Sequence, residues 1–372
     1  MAQLCNHFAA QGHETTLATL APSVEQPFYE LSEAVRMLPL GRLTAGRHLE
    51  RLARVMAWIA ALRKTFVTIR PDVVISFIDL TNVMTLLAAL GLRLPVIAAE
   101  RVDPAAHSHA MSYVGQGLRR LTYSRAERIV VQTDRAAKFF SRYPSSQIVK
   151  IPNPVLPASI SARPAEPSPD RRYRIIGVGR LDRQKGFDIL VESFAEMAGR
   201  FPDWDVEIFG RGADRAALLA QIERLGLGGR IRLMDVTKDI AGELARSHIM
   251  AFPSRYEGFP NALAEAMAAG LPCVAMENVS GVEDLIVPGK TGILAAWNVG
   301  EPRGPVPSLS DSLARLMASA ELRASMGAAA STHIKRFLPD VVFGEWDKLI
   351  ATVARKSQNN ERDGGALLKE IS

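Results

Sequence analysis

Residues 252–272 read FPSRYEGFPNALAEAMAAGLP, and this stretch decides how the rest of the chain is read. A short apolar run (Ile249, Met250, Ala251, Phe252) stops at Pro253. A polar turn with Glu257, Gly258 and Pro260 follows, then an alanine-rich segment, 261–269, closed by Gly270-Leu271-Pro272. Proline near the start and glycine just past the end are where helices favour those residues. The stretch therefore reads as strand, tight loop, short helix and next strand. A strand that runs straight into a helix presents free N–H groups and a positive dipole end above the sheet, which suits a phosphate. Glu257 sits in the loop and Glu265 eight positions on, in the helix. An ordinary βα unit with two solvated glutamates explains the spacing equally well, so the rest of the chain has to decide.

At 372 residues the chain is long enough for two domains. It is 48% hydrophobic and 23% charged, with mean hydropathy +0.05, values of a well-cored soluble protein rather than a disordered one. Cys5 and Cys273 match no metal or redox spacing, and the natural inference is a reducing compartment. The longest apolar run, 83–99, is broken by Arg93 and Pro95 and is too short to span a bilayer. Residues 1–20 lack a basic n-region and do not read as a signal peptide, so a cytoplasmic protein is expected. The net charge of +6 is lopsided: residues 1–155 hold 18 Lys/Arg against 11 Asp/Glu, concentrated in 42–70 and 119–128. Such a patch fits an anionic membrane surface, a nucleic acid or a solvated basic face. No aromatic platform or motif supports nucleic acid.

Strand and helix signals alternate along the chain. In the first part, helices are expected at 1–12, 47–70, 81–90, 115–126 and 134–142. Strands are expected at 15–20, 34–38, 73–77, 95–99, 128–132 and 147–151. The 47–70 helix carries Leu52, Val55, Met56, Ile59 and Leu62 on one stripe. After a proline-rich segment the alternation restarts, with strands at 175–178, 205–209, 231–234, 249–252, 273–276 and 292–295. A single helix is expected at 308–326. The organisation that follows is an N-terminal Rossmann-like domain, 1–155, a linker, 156–170, and a second Rossmann-like domain, 171–335. A terminal helix, 336–355, and a flexible tail, 356–372, complete it. Ligands of such α/β sheets bind at the carboxyl ends of the strands, here in the cleft between domains.

The first strand of the second domain runs into Val178-Gly179-Arg180-Leu181-Asp182-Arg183-Gln184-Lys185-Gly186. Gly179 permits a close turn, and Arg180 and Lys185 then share one loop at the top of the sheet. Two fixed cations facing a cleft are what a departing diphosphate requires. A loop of solvated charges would look the same in composition.

Taken together, Gly179-Arg180-Leu181-Asp182-x-x-Lys185-Gly186 and the stretch from Pro253 to Pro272, with seven residues between Glu257 and Glu265, resemble glycosyltransferase family 4. That family comprises retaining, nucleotide-sugar-dependent enzymes of the GT-B fold. Ile151-Pro152-Asn153-Pro154 is similar to its domain-crossing motif. Glu100-Arg101-x-Asp103-Pro104 resembles a subgroup that makes exopolysaccharide, capsule or O-antigen on lipid carriers. The resemblance implies that Arg180 and Lys185 grip the donor diphosphate, which is UDP- or GDP-linked, and that Glu257 binds the transferred sugar. It further implies that Gly258, Phe259, Pro260, Asn261 and Leu263 line the donor pocket, that Glu265 accepts from the ribose hydroxyls and that Gly210 lies near the base. No metal and no cofactor beyond the donor is implied. Glu100 or Arg101 is expected to orient the acceptor, a lipid-linked or glycan hydroxyl, and the basic N-terminal patch is expected to hold the protein peripherally on the inner membrane face.

This chain also departs from the family pattern. The family's Gly-x-Gly-Pro is Gly210-Arg211-Gly212-Ala213 here, and its Ser-Gly-Pro-x-Glu turn is Ser280-Gly281-Val282-Glu283. A histidine usual near position 100 is replaced by Glu100-Arg101, with His107 and His109 nearby reading as solvated loop residues. Relatives open with a strand and a glycine-rich loop before the helix that Met1 begins here. The N-terminal domain is accordingly expected to lack its first strand, with Met1 a misassigned or truncated start. That expectation motivates two alternatives to an active transferase: an inactive nucleotide-sugar-binding remnant, or a nucleotide-sugar epimerase of the same fold.

Overall fold

A computed structural model describes residues 1–20, 30–41, 48–105, 113–297 and 303–370; His107 and His109 lie outside them. The N-terminal part runs α1 (Ala2–Ala10), β1 (Thr16–Thr19), β2 (Arg36–Pro39), α2 (His48–Ile69), β3 (Val74–Phe77), α3 (Asp79–Ala88), β4 (Val96–Ala99), α4 (Tyr113–Tyr123), β5 (Arg128–Val131), α5 (Asp134–Phe139) and β6 (Ile148–Lys150). Strands β3 to β6 form a four-stranded sheet in chain order, while β1 and β2 pair as a separate two-stranded sheet. All these pairings are parallel.

The second part runs β7 (Tyr173–Val178), α6 (Phe187–Met197), β8 (Trp204–Phe209), α7 (Arg215–Arg224), β9 (Ile231–Met234), α8 (Ile240–Ala245), β10 (Ile249–Phe252), α9 (Asn261–Ala268), β11 (Cys273–Met276), α10 (Val282–Leu285) and β12 (Ile293–Ala295). Helices α11 (Val306–Met317), α12 (Ala320–His333) and α13 (Pro339–Glu370) follow. The second sheet is parallel, in the order β12-β11-β10-β7-β8-β9. Central strands such as β8, β10 and β11 are buried along their whole length, as a sheet covered by helices on both faces demands.

Three expectations need correcting. The helix expected at 308–326 is two helices, because Ser319 leaves helical geometry and its hydroxyl caps α12 by accepting from the Leu322 N–H at 3.1 Å. On α2, Leu62 is buried with Trp58 and Phe66, and Val55 and Ile59 pack partly buried on the same cluster, but Met56 is 58% exposed, and the Leu52 side chain lies outside the described residues. The two aromatic rings carry the larger apolar area and turn the helix toward themselves. The terminal helix, expected to end at 355, continues as α13 as far as Glu370.

The four-stranded sheet has packing on both faces. Trp58, Leu62, Phe66, Met84 and Tyr123 cover one. On the other, Leu4 and Phe8 of α1 and Val342, Trp346, Leu349 and Val353 of α13 cover Ile97, Ala99 and Val130. The last helix of the chain is thus part of the N-terminal core.

His248, 3% exposed, fixes the start of β10. Its Nδ1 accepts from the Arg174 N–H at 2.9 Å, and its Nε2 faces the Glu166 carbonyl at 2.8 Å. A neutral imidazole satisfies both contacts, and burial drives its pKa down to about 4. The unfolded chain takes up this proton below about 6.5 and the folded chain only near 4, so the stability is complete above pH 6.5 and lost as pH falls through that window. The shift amounts to roughly 3 kcal/mol. Melting temperatures should therefore fall between pH 7 and 4.5 in the wild type and less steeply in His248→Asn; parallel curves would show that His248 is not the cause.

Candidate active site

In the second sheet, β7 continues to β8 on one side, while β10 returns to pair with β7 on the other. The winding direction reverses between β7 and β10. Their carboxyl ends therefore open a crevice, the place where α/β sheets bind ligands. The Arg180–Lys185 loop leaves β7 and the Glu257 loop leaves β10, so the two motifs, some seventy residues apart in sequence, meet at this point.

Local geometry brings them into contact. After β7 the chain makes a short 3-10 turn, Arg183–Lys185, which Asp182 caps by accepting from the Lys185 N–H at 3.3 Å. Gly186 then takes φ 68°, and a Cβ there would stand 2.1 Å from the Pro253 carbonyl oxygen, so only glycine lets the β7 loop lie against the end of β10. Lys185 Nζ reaches Glu257 Oε1 at 2.6 Å and lies 5.5 Å from the centre of the Phe252 ring. Glu257 is 6% exposed. A carboxylate this buried persists because the ammonium is beside it.

Arg255, which no motif signal marks, stitches the two loops together. Its guanidinium forks onto Asp188 at 2.8 and 2.7 Å and donates to the Arg183 carbonyl at 2.7 Å. Gln184 adds bonds to the backbone of Arg255 and Tyr256. Within the motif Arg255 looks like a solvated variable position. Its pairing with Asp188, 67 residues away, exists only in the fold.

The remaining expected residues divide into two groups. On α9, Asn261 and Glu265 are one turn apart and both exposed, while Leu263, Ala264, Ala266 and Met267 are buried. Leu263, expected in the donor pocket, is fully buried in the second domain's core; the apolar face of α9 must cover the sheet, so only the opposite face meets the cleft. Phe259 likewise packs inward, its ring 6.0 Å from that of Phe337, leaving its backbone to the site. Glu265 is exposed, but the surrounding protein still raises its carboxyl pKa, the condition of a group on the floor of a cleft. Gly210 ends β8 against the Gly179 carbonyl. Arg180 is turned onto its own loop, 3.1 Å from Asp182 and 2.8 Å from Gln184 Oε1, with its side chain 69% exposed.

The N-terminal half supplies the opposite wall. A Cβ on Gly258 would lie 2.4 Å from the Arg101 carbonyl oxygen, so the loop after β10 touches the loop after β4 directly. Asn153 donates to Asn261 Oδ1 at 3.0 Å, and Thr133 meets Ser280 at 2.9 Å. Glu100, expected to orient the acceptor, is instead 3% exposed and accepts a short bond from the Tyr123 hydroxyl, which itself receives Asn82 Nδ2 at 2.9 Å. Burial and the Glu100 carboxylate push the Tyr123 phenol well above its ordinary value, keeping it the donor. Among the described residues no helix is long and apolar enough to cross a membrane.

Two parallel α/β halves closing on a crevice, with a lysine–glutamate pair at its switch point, define the GT-B type of glycosyltransferase. Residues 159–333 match the family model for glycosyl transferases group 1, and residues 1–154 match that for the glycosyl transferase 4-like domain. Between them the two span most of the chain, which belongs to this family of glycosyltransferases. An exopolysaccharide phosphotransferase of Streptomyces coelicolor is 28% identical over 77% of this chain, but the match spans only 30% of that protein. An alpha-1,4-N-acetyl-D-galactosaminyltransferase of Campylobacter jejuni, whose name gives a PP-undecaprenol glycan as acceptor, is 22% identical over 88% of both chains. Among solved structures, sucrose-phosphate synthase of Thermosynechococcus elongatus superposes with TM-score 0.80 at 18% identity, covering 94% of this chain and 92% of that one. The Anabaena protein HepE in complex with UDP gives TM-score 0.72 at 16% identity, covering 94% and 96%.

Proposed function

We propose that this protein is a retaining glycosyltransferase that moves a sugar from a UDP- or GDP-linked donor to a lipid-linked glycan during assembly of a cell-surface polysaccharide. The observation that carries the reading is the Lys185–Glu257 pair at the β7/β10 switch point, with Glu265 on the open face of α9 behind it. A bound diphosphate competes with Glu257 for the Lys185 ammonium, and Arg180 swings from Asp182 and Gln184 onto the same phosphates. Glu257, released, accepts from the sugar hydroxyls, and Glu265 from the ribose. The sugar C1–phosphate oxygen bond breaks as the acceptor oxygen bonds C1 on the same face, and the acceptor proton passes to the departing phosphate. Fixed cations at the leaving group supply the stabilisation. The acceptor class rests on what the Campylobacter and Streptomyces relatives are named for, and the donor on the UDP bound by HepE. The basic N-terminal half fits a peripheral position on the inner face of the membrane.

Product masses and anomeric configuration, read after incubation with a panel of nucleotide sugars and lipid diphosphate acceptors, test this function. No turnover of any donor, even by hydrolysis, would leave a binding remnant as the better account.

Glu265 supplies a narrower test. Its raised pKa means that it takes up a proton at a higher pH than an ordinary glutamate, and a protonated carboxyl accepts poorly from ribose. UDP affinity should accordingly hold at neutral pH, then fall on acidification before other glutamates titrate. Glu265→Gln should bind UDP weakly and without this pH dependence; a Glu265→Gln profile that tracks the wild type removes Glu265 from the ribose site.

A further inference from the structure

Arg101 is a half-buried cation that, among the described residues, has no anion beside it. Its Nη1 donates to Asn153 Oδ1 at 2.8 Å, and the guanidinium carbon lies 4.8 Å from the Phe77 ring centre and 5.7 Å from that of Trp346. In the orientation that satisfies its amide, Gln132 places its oxygen 3.0 Å from Arg101 Nη1 and its nitrogen 3.3 Å from the Arg101 carbonyl. These neighbours fix the side chain but bring no negative charge. Burial alone lowers the guanidinium to about 10, with no carboxylate offsetting it. The acidic neighbours in sequence are engaged elsewhere, Glu100 with Tyr123 and Asp103 Oδ1 with the Ala105 N–H at 2.9 Å.

A guanidinium has five N–H donors, and the neutral groups around Arg101 occupy few of them. Withdrawing such a charge from water without a partner is costly, and the cost is recovered when an anion arrives. The position narrows which anion. Arg101 stands on the N-terminal wall, where its own carbonyl touches Gly258, and Asn153 links it to Asn261 at the start of α9. The donor's phosphates already have Lys185 and Arg180 on the other wall.

We infer that Arg101 receives an acidic group carried by the acceptor, within about one sugar residue of the hydroxyl that is glycosylated, and that Asn153 holds it in register with the donor-side loop. The inference rests on the glycosyltransferase reading above and narrows its acceptor to an acidic one. The acid is either the diphosphate of a lipid-linked sugar or the carboxylate of an acidic sugar, and both fit the planar fork of an arginine.

Binding of farnesyl diphosphate, farnesol and glucuronic acid to the full chain, with UDP saturating so that Lys185 and Arg180 are occupied, tests it. Either farnesyl diphosphate or glucuronic acid should bind about tenfold to a hundredfold more weakly to Arg101→Gln than to the wild type, as loss of one charge-assisted contact predicts, and farnesol should show no difference. Dependence with farnesyl diphosphate identifies the lipid diphosphate as the source, and dependence with glucuronic acid an acidic sugar. Arg101→Met keeps the stem on Phe77 and Trp346 and serves if the glutamine variant does not fold. Asn153→Ala should weaken the same acid severalfold, because Arg101 then loses the side chain that holds it beside the donor-side loop. Equal affinities in the wild type and Arg101 variants for both acids overturn the inference, as does an Arg101 variant that loses UDP instead. Transfer is measured separately: a wild type that turns over no donor sinks the transferase reading but leaves Arg101-dependent acid binding intact.

Discussion

Lys185→Ala should lower sugar transfer by roughly 10²–10³, the cost of removing one preorganised charge from a developing anion in a water-poor site. Lys185 is the only cation among the described residues that contacts Glu257, at 2.6 Å, and its side chain is 16% exposed. Arg180, 69% exposed and turned onto its own loop, should cost less when replaced, because it must first leave Asp182 and Gln184. The order Lys185 above Arg180 follows from the structure, since the motif presents both as equal cations. Glu257→Ala should fall as far as Lys185→Ala, and the double variant should sit close to either single one, because under the proposed function both act on one bound donor. Steady-state transfer measured across the four proteins checks this. Lys185→Ala activity within tenfold of the wild type would remove the pair from the chemistry. Removing either partner also strands a buried charge, so melting temperatures should accompany the rates.

The second large effect is on stability and lies away from the cleft. Arg323 is 2% exposed and, among the described residues, bonds no carboxylate. Its Nε donates to the Pro164 carbonyl at 2.6 Å, and its Nη1 to those of Leu316 and Met317 at 2.9 and 3.0 Å. The guanidinium lies 4.7 Å from the centre of the Tyr173 ring and 5.0 Å from that of Trp204. One side chain thus satisfies the open carbonyls at the end of α11, fastens the proline-rich segment and fills the space beside β7 and β8. Arg323→Ala leaves three carbonyls without this donor and opens a cavity, and should cost about 3–5 kcal/mol. Urea unfolding would show it as a lower midpoint at unchanged slope. A loss under about 1 kcal/mol would mean that water replaces the guanidinium, which the burial argues against.

Local pattern carried much of the fold into the sequence. The alternation of apolar runs with Pro and Gly stops placed nearly every described strand and helix, because those signals act over a few residues. Lys185, Glu257 and Glu265 also stand in contiguous motifs, the first two on loops and Glu265 on α9. The inward side chain of Leu263 is legible too: it stands two positions after Asn261 and two before Glu265, on the opposite side of an amphipathic helix.

What the chain alone determined is therefore the set of elements and the chemistry waiting on their ends. Only the tertiary structure decided which ends meet. The return of β10 to the free side of β7 creates the crevice that joins Lys185 to Glu257. The Tyr123 hydroxyl, 23 residues along the chain, draws Glu100 inward and leaves the neighbouring Arg101 beside Gly258 on that wall. Arg255 finds Asp188, and Asn153 finds Asn261, across 67 and 108 residues. Such contacts follow from strand order and domain approach, which no local propensity encodes, because their energies arise only once distant segments share a low-dielectric space.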